Sequence, residues 1–181
     1  AWLSRCGYGV RLVNALDYTD PRSTAVLGRP RRDSHGTGKF FRQIVPTPPA
    51  LAPPAPPAVP PGPGGFKRNY ARYGILMESL RQRIAAQRAG VVVVSAGMTY
   101  WYPGVIEAIR IVRKVFPTAP VVLGGIYPTL CPKHAVRHSE ADLVIAGSAF
   151  PRLKDFLEIL QLPTTAPTDS EDVLPLPEAN W

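Results

Sequence analysis

Four consecutive valines, Val91–Val94, run into Ser95-Ala96-Gly97, and the pattern returns when Val121-Val122-Leu123 runs into Gly124-Gly125. No other feature constrains the fold as strongly. A short apolar run closed by turn residues reads as a strand buried on both faces, the kind found in parallel α/β sheets. Between the two runs, Pro103 suits a first helical position, and Val105, Ile106, Ile109, Val112 and Val115 recur at helical spacing. Strand, helix and strand in this order predict a right-handed parallel crossover. In open α/β sheets ligands bind beyond the carboxyl ends of the strands, and Ser95 and Gly124-Gly125 both fall at such ends. Glycine at 124 and 125 removes two Cβ atoms where a flat or bulky ligand can slide along the backbone. Paired glycines also close ordinary βα turns, so ligand slot and plain turn both stand on these residues alone.

The flanking sequence extends the pattern. Residues from Lys67 predict a helix with Tyr73, Met77, Leu80 and Ile84 on one stripe and Gly90 as its stop. Ala141–Ala146 predicts the next strand, and Leu153, Phe156, Leu157 and Leu160 the apolar stripe of a closing helix. The expected fold is α/β: a flavodoxin-like, Rossmann-like doubly wound parallel sheet. Residues 91–147 then give three adjacent parallel strands, with Ser95 and Gly124 at the same sheet edge. At the start, residues 1–9 resemble the last turns of a helix ended by glycine, and Val10–Ala15 predicts a strand. Residues 17–45 read as a polar loop with a basic run, Arg29-Pro30-Arg31-Arg32. Residues 46–65, PTPPALAPPAPPAVPPGPGG, favour polyproline II and form a flexible insertion in a domain expected to span 1–160. The tail 161–181 reads as a linker or disordered segment.

Composition narrows the function classes. The net charge of +8 comes chiefly from arginines scattered along the chain, with no helix-turn-helix and no RNP-like string, so a solvated basic surface is expected rather than a nucleic-acid reader. Two distant cysteines, Cys6 and Cys131, argue against a disulfide framework and fit a reducing compartment. No apolar stretch reaches membrane-spanning length and no signal-peptide order is present, so the cytoplasm is the expected location and no membrane partner is expected.

The wording becomes specific in three places. SAGMTYWYPGVIEAI, VVLGGIYPTLCPKHA and ADLVIAG together resemble the N-terminal cobalamin-binding domain of B12-binding radical SAM proteins. Ser95-Ala96-Gly97, residues 98–123 and then Gly124-Gly125 are similar to the S-x-L and G-G elements of such domains. The resemblance implies a corrinoid whose nucleotide tail lies in a slot between sheet and helices. Ser95 is then a hydrogen-bond partner of the tail, with Gly97 and Thr99 lining the slot. Gly124, Gly125 and Thr129 flank the tail and its phosphate, and Gly147 closes the site after the fifth strand of the family. Two departures accompany the match: Gly97 stands where older cobalamin enzymes have leucine, and Gly147-Ser148-Ala149 replaces G-E-G-E. The family order also places a first strand ahead of the opening helix, so the chain reads as a fragment lacking that strand.

Radical SAM chemistry needs a [4Fe–4S] cluster on three closely spaced cysteines, and this chain has no such triplet. The resemblance therefore implies a corrinoid presented to a radical SAM catalytic domain in cis, with the cluster and SAM belonging to that domain. The chain is not catalytic by itself. Two other readings are compatible with the residues: a degenerate docking or scaffold module of the same fold that binds no corrinoid, and a flavodoxin-like domain for flavin or nucleotide.

Two histidine patterns invite a metal. Asp33-Ser34-His35-Gly36-Thr37-Gly38 satisfies D-x-H-x-x-G, in which histidine ligates cobalt and a carboxylate orients it. It follows the strand expected at Val10–Ala15 instead of a first strand, so His35 is not expected to be the cobalt ligand. Cys131, His134 and His138 fall on one helical face, but no fourth ligand is evident, and a short helix after Pro132 explains them without zinc.

Overall fold

The computed structural model describes residues 2–30, 40–46, 70–148 and 150–162. These fall into two compact units: Val13–Gly147, and a smaller one made from residues 2–12 and those described after 147.

The larger unit is built on a parallel sheet of three strands, β3 (Val92–Ala96), β4 (Val121–Gly125) and β5 (Leu143–Val144), in the order β3-β4-β5. Val92 pairs with Val121 and Ser95 with Gly124, so the carboxyl ends of β3 and β4 lie at one edge, as the repeated pattern predicts. The crossover between them is α4 (Tyr102–Val115), which starts one residue before Pro103 and buries Val105, Ile109 and Val112. These residues join Ala96, Val121 and Leu123 in one core, with Val92, Val94 and Val144 packed against it. Register puts those strand residues on one sheet face; Val93, Ser95, Val122 and Gly124 lie on the other. α5 (Ile126–Leu130) follows β4 with no intervening loop, and α6 (Pro132–His138) follows it through Cys131.

Several expectations are corrected. β3 is not buried on both faces: Val93 is 45% exposed, because β3 stands at the edge of the sheet formed by the described residues, and only β4 is covered throughout. The strand expected at Val10–Ala15 is absent. No ladder partner lies beside it, Leu12 is 90% exposed, and Asn14 and Asp17 fold the following backbone by accepting from the amides of Leu16 and Thr19. The helix expected from Lys67 begins only at Met77, forming α3 (Met77–Ala85), which ends short of Gly90. Tyr73 belongs instead to β2 (Tyr70–Tyr73), which pairs antiparallel with β1 (Arg42–Val45) inside the stretch read as a loop. The fifth strand is shorter than Ala141–Ala146, with only Leu143 and Val144 in the ladder.

The supposed loop also holds α2 (Pro21–Leu27). Asp20 is its N-cap, accepting from the Ser23 amide, and Pro21 opens the helix. Asp20 is 3% exposed and also accepts from the Ser23 hydroxyl at 2.6 Å and from Arg83 at 2.6 Å. The same hydroxyl accepts from the amide of Leu76, the N-cap residue of α3, so one serine joins the starts of two helices. Arg83 donates to Asp17 as well.

In the smaller unit α1 (Trp2–Arg5) ends in a left-handed Gly7, φ 81°, with Tyr8 N–H donating to Leu3 and Gly7 N–H to Ser4. That is the glycine stop expected from the sequence. α7 (Phe150–Ile159) buries Leu153 and Leu157.

The Asp20 cluster carries a pH signature. Burial alone raises the carboxyl pKa, but the Ser23 hydroxyl and amide, with Arg83, overcome it and bring the value down from 3.8 to about 2. A group depressed on folding stabilises fully above its unfolded value, and the contribution is lost as pH falls through its folded value. The difference corresponds to roughly 2 kcal/mol. Asp20→Asn is expected to lower the midpoint of urea unfolding at pH 7 and to flatten the decline in stability between pH 3.8 and about 2. Equal pH profiles for the variant and the parent chain contradict the assignment.

Candidate cofactor-binding site

The site is assembled at the carboxyl edge of β3 and β4. Ser95 and Gly124 are register partners on the same sheet face, and Ser95 is exposed at the end of its strand. Gly124 is buried, yet among the described residues no heavy atom outside its two chain neighbours lies within 4 Å of the position a Cβ would take there. A side chain at this position would enter that open space. Gly125 differs in kind. Its φ is +101°, and a Cβ would meet the Ala96 carbonyl oxygen at 2.5 Å and the Ala96 nitrogen at 2.8 Å. It lies on the core face, and its lack of a side chain lets two strands approach. The sequence pairs 124 and 125 as one motif, and the structure separates them into a slot residue and a packing residue.

Gly97 is exposed, with its Cβ position in ordinary contact with the Trp101 ring. Thr99 begins a 3-10 turn, Thr99–Trp101, and is half-buried. The Thr129 hydroxyl donates to the Gly125 carbonyl at 2.7 Å and accepts from the Gly147 amide at 2.9 Å. Its proton is therefore committed, leaving one lone pair, so Thr129 ties the end of β4 to the segment after β5 and has no hydrogen to offer a phosphate. Gly147 is held at φ +79° with open space around its Cβ position. Structure thus brings Ser95, Gly97, Thr99, Gly124, Gly125, Thr129 and Gly147 to the ends of consecutive strands.

An aromatic and histidine cluster beside α5 lies outside the pattern of strand-end residues. The Tyr127 ring stacks on Tyr102, and its hydroxyl bonds to His134 Nδ1 at 2.7 Å. His134 contacts His138 at 4.4 Å between ring centroids. Burial, with His138 and Arg137 nearby, holds the His134 pKa below its usual value. Burial likewise raises Tyr127 and Tyr102 above the usual phenol value. The signal in the sequence was Ile126-Tyr127-Pro128-Thr129 directly after the double glycine. A tyrosine there follows a strand end and precedes two histidines one and two turns along the next helix. Among the described residues no group of three or more His, Cys, Asp or Glu forms a metal site. His35 lies outside the described residues.

The chain belongs to the B12-binding domain family: the family's model, described as "B12 binding domain", matches residues 64–156, just over half of the sequence. That span contains every residue named at the strand ends and excludes Asp33–Gly38. Comparison with curated proteins and with solved structures returns no match. Family membership implies a corrinoid ligand. Among the described residues no helix is long and apolar enough to cross a membrane.

The two glycines give a paired test. Gly124→Val fills open space and is expected to leave the thermal midpoint within about 3 °C of the parent chain while abolishing corrinoid retention. Gly125→Ala forces a Cβ against β3 at positive φ and is expected to cost about 1–3 kcal/mol of stability in urea unfolding. A destabilised Gly124→Val with an unaffected Gly125→Ala reverses the assignment.

Proposed function

We propose that this chain holds the nucleotide tail of a corrinoid in the slot between Ser95 and Gly124 and presents the macrocycle to a radical SAM domain carried in cis. The observation that carries the reading is the buried, unobstructed Gly124 in register with an exposed serine. The Ser95 hydroxyl supplies a hydrogen bond to the tail. Gly97 and Thr99 line the entrance, and Gly125, Thr129 and Gly147 fix the shape of the rim. When bound, the corrinoid supplies a cobalt centre able to carry a methyl group. The protein's own residues bind and orient it and perform no proton transfer. The [4Fe–4S] cluster and SAM belong to the radical SAM domain, since Cys6 and Cys131 cannot form the required triplet.

His35 stays outside this scheme. D-x-H-x-x-G lies beyond the span matched by the family, and cobalt is bound without a histidine from this chain.

Incubation with hydroxocobalamin followed by gel filtration tests the proposal. Corrinoid absorbance is expected to co-elute with the chain, and Ser95→Ala to weaken binding by about tenfold, the worth of one lost hydrogen bond. His35→Ala is expected to leave the EPR spectrum of the reduced complex unchanged. No retention by the full chain, together with a thermal shift on adding flavin mononucleotide, replaces the corrinoid reading with a flavodoxin-like one. Loss of nitrogen hyperfine coupling in His35→Ala makes DSHGTG the cobalt-binding motif.

A further inference from the structure

Helix α5, with Cys131, joins the end of β4 to α6, and it carries Thr129, whose hydroxyl joins Gly125 to Gly147. The helix is anchored from behind by Tyr127, which is 1% exposed. Its phenol hydroxyl is bonded to His134 Nδ1 at 2.7 Å, and its ring lies 5.8 Å from that of Tyr102. In the Nε2–H tautomer of the neutral imidazole, Nδ1 accepts the phenol hydrogen. A protonated imidazole carries hydrogen on both nitrogens and accepts nothing. The phenol then receives a hydrogen bond, and its own hydrogen, buried with the ring, loses its acceptor.

We propose that His134 is a positioning residue for the slot, coupling its own protonation to ligand affinity through Tyr127, α5 and the Thr129 bridge to Gly147. The inference rests on the corrinoid reading for the identity of the ligand, but not for the coupling itself.

The groups facing His134 support a switch of one sign. Tyr102 reaches it from α4 with ring centroids 4.8 Å apart. Tyr127 faces it from α5, and His138 and Arg137 lie on α6 itself. Cys131, between α5 and α6, acts on Tyr127. No carboxylate is among these groups, and Arg137 and His138 disfavour a positive charge on His134. Neutral His134 is therefore the form suited to the folded chain. A histidine depressed on folding stabilises above its unfolded value of 6.5, and that contribution is lost as pH falls through the lower folded value. The slot is intact at neutral pH and loosens in mild acid.

The test uses the full chain and cyanocobalamin as probe, with affinity measured from about pH 8 to about pH 5. Binding is expected to weaken about tenfold across His134 ionisation in the parent chain. H134Q, whose amide oxygen accepts from the phenol but does not titrate, is expected to give a flat profile. H138Q, which removes the neighbouring imidazole, is expected to retain the pH dependence. A ligand-free measurement runs beside these: in the 15N–1H spectrum of the parent chain, the Gly147 amide is expected to shift with the same midpoint as the His134 ring. A Gly147 signal that ignores His134, or an H134Q profile identical to the parent, overturns the proposal. Absence of cyanocobalamin binding at every pH, with Gly147 still titrating, overturns the corrinoid reading and leaves the coupling standing.

Discussion

The backbone of β3 and the end of β4 approach one another at Ala96 and Gly125 more closely than any side chain at 125 permits. Much of the site depends on that approach. Because Gly125 reaches φ +101°, the chain turns from strand to helix within one residue, and α5 starts at Ile126. Tyr127 and Thr129 are thereby set at fixed distances from the sheet edge, one anchored behind α5 and the other tied to Gly147. An ordinary loop at this point would leave both positions to the loop's own flexibility.

The two faces of the sheet divide the work. One face puts Ala96, Val121 and Leu123 against Val105, Ile109 and Val112 of α4, a continuous apolar core. The other carries Ser95 and bare Gly124, where burial leaves space unfilled. A sheet edge beside such a core is mechanically stiff, since its strands are held from behind by close-packed side chains. Several of the arginines that raise the net charge are engaged. Arg83 binds Asp17 and Asp20, Arg113 binds Asp142, and Arg110 binds Glu140. The Asp142 carboxylate also accepts from the Val121 amide, so this pair secures the first residue of β4.

Legibility in the sequence followed the range of the interaction. The glycine stop at Gly7, the α4 stripe and the 3-4-5 parallel order rest on local signals, and each was readable. The α2 start is readable as well, since Asp20-Pro21 is a capping residue followed by a proline at the first helical position, although the polar residues around it show no helical period. Tyr73 shows the opposite case. Its spacing to Met77, Leu80 and Ile84 fits a helix, but pairing with Arg42 across a long separation put it in a strand. Val91–Val94 read as doubly buried because periodicity reports apolarity and says nothing of which strand stands at an edge.

By itself the sequence determined that residues 91–147 form a parallel βαβ arrangement with serine and glycine at the strand ends, because helical and strand periods and turn residues are written into neighbouring positions. Tertiary structure alone decided that Gly124 borders open space while Gly125 is pressed against β3, and that the Thr129 proton is spent inside the protein. It also decided that Tyr127 and His134 meet. The reason is physical: φ, cross-strand distance and hydrogen-bond partner are properties of two segments brought together, and no pattern within either segment carries them.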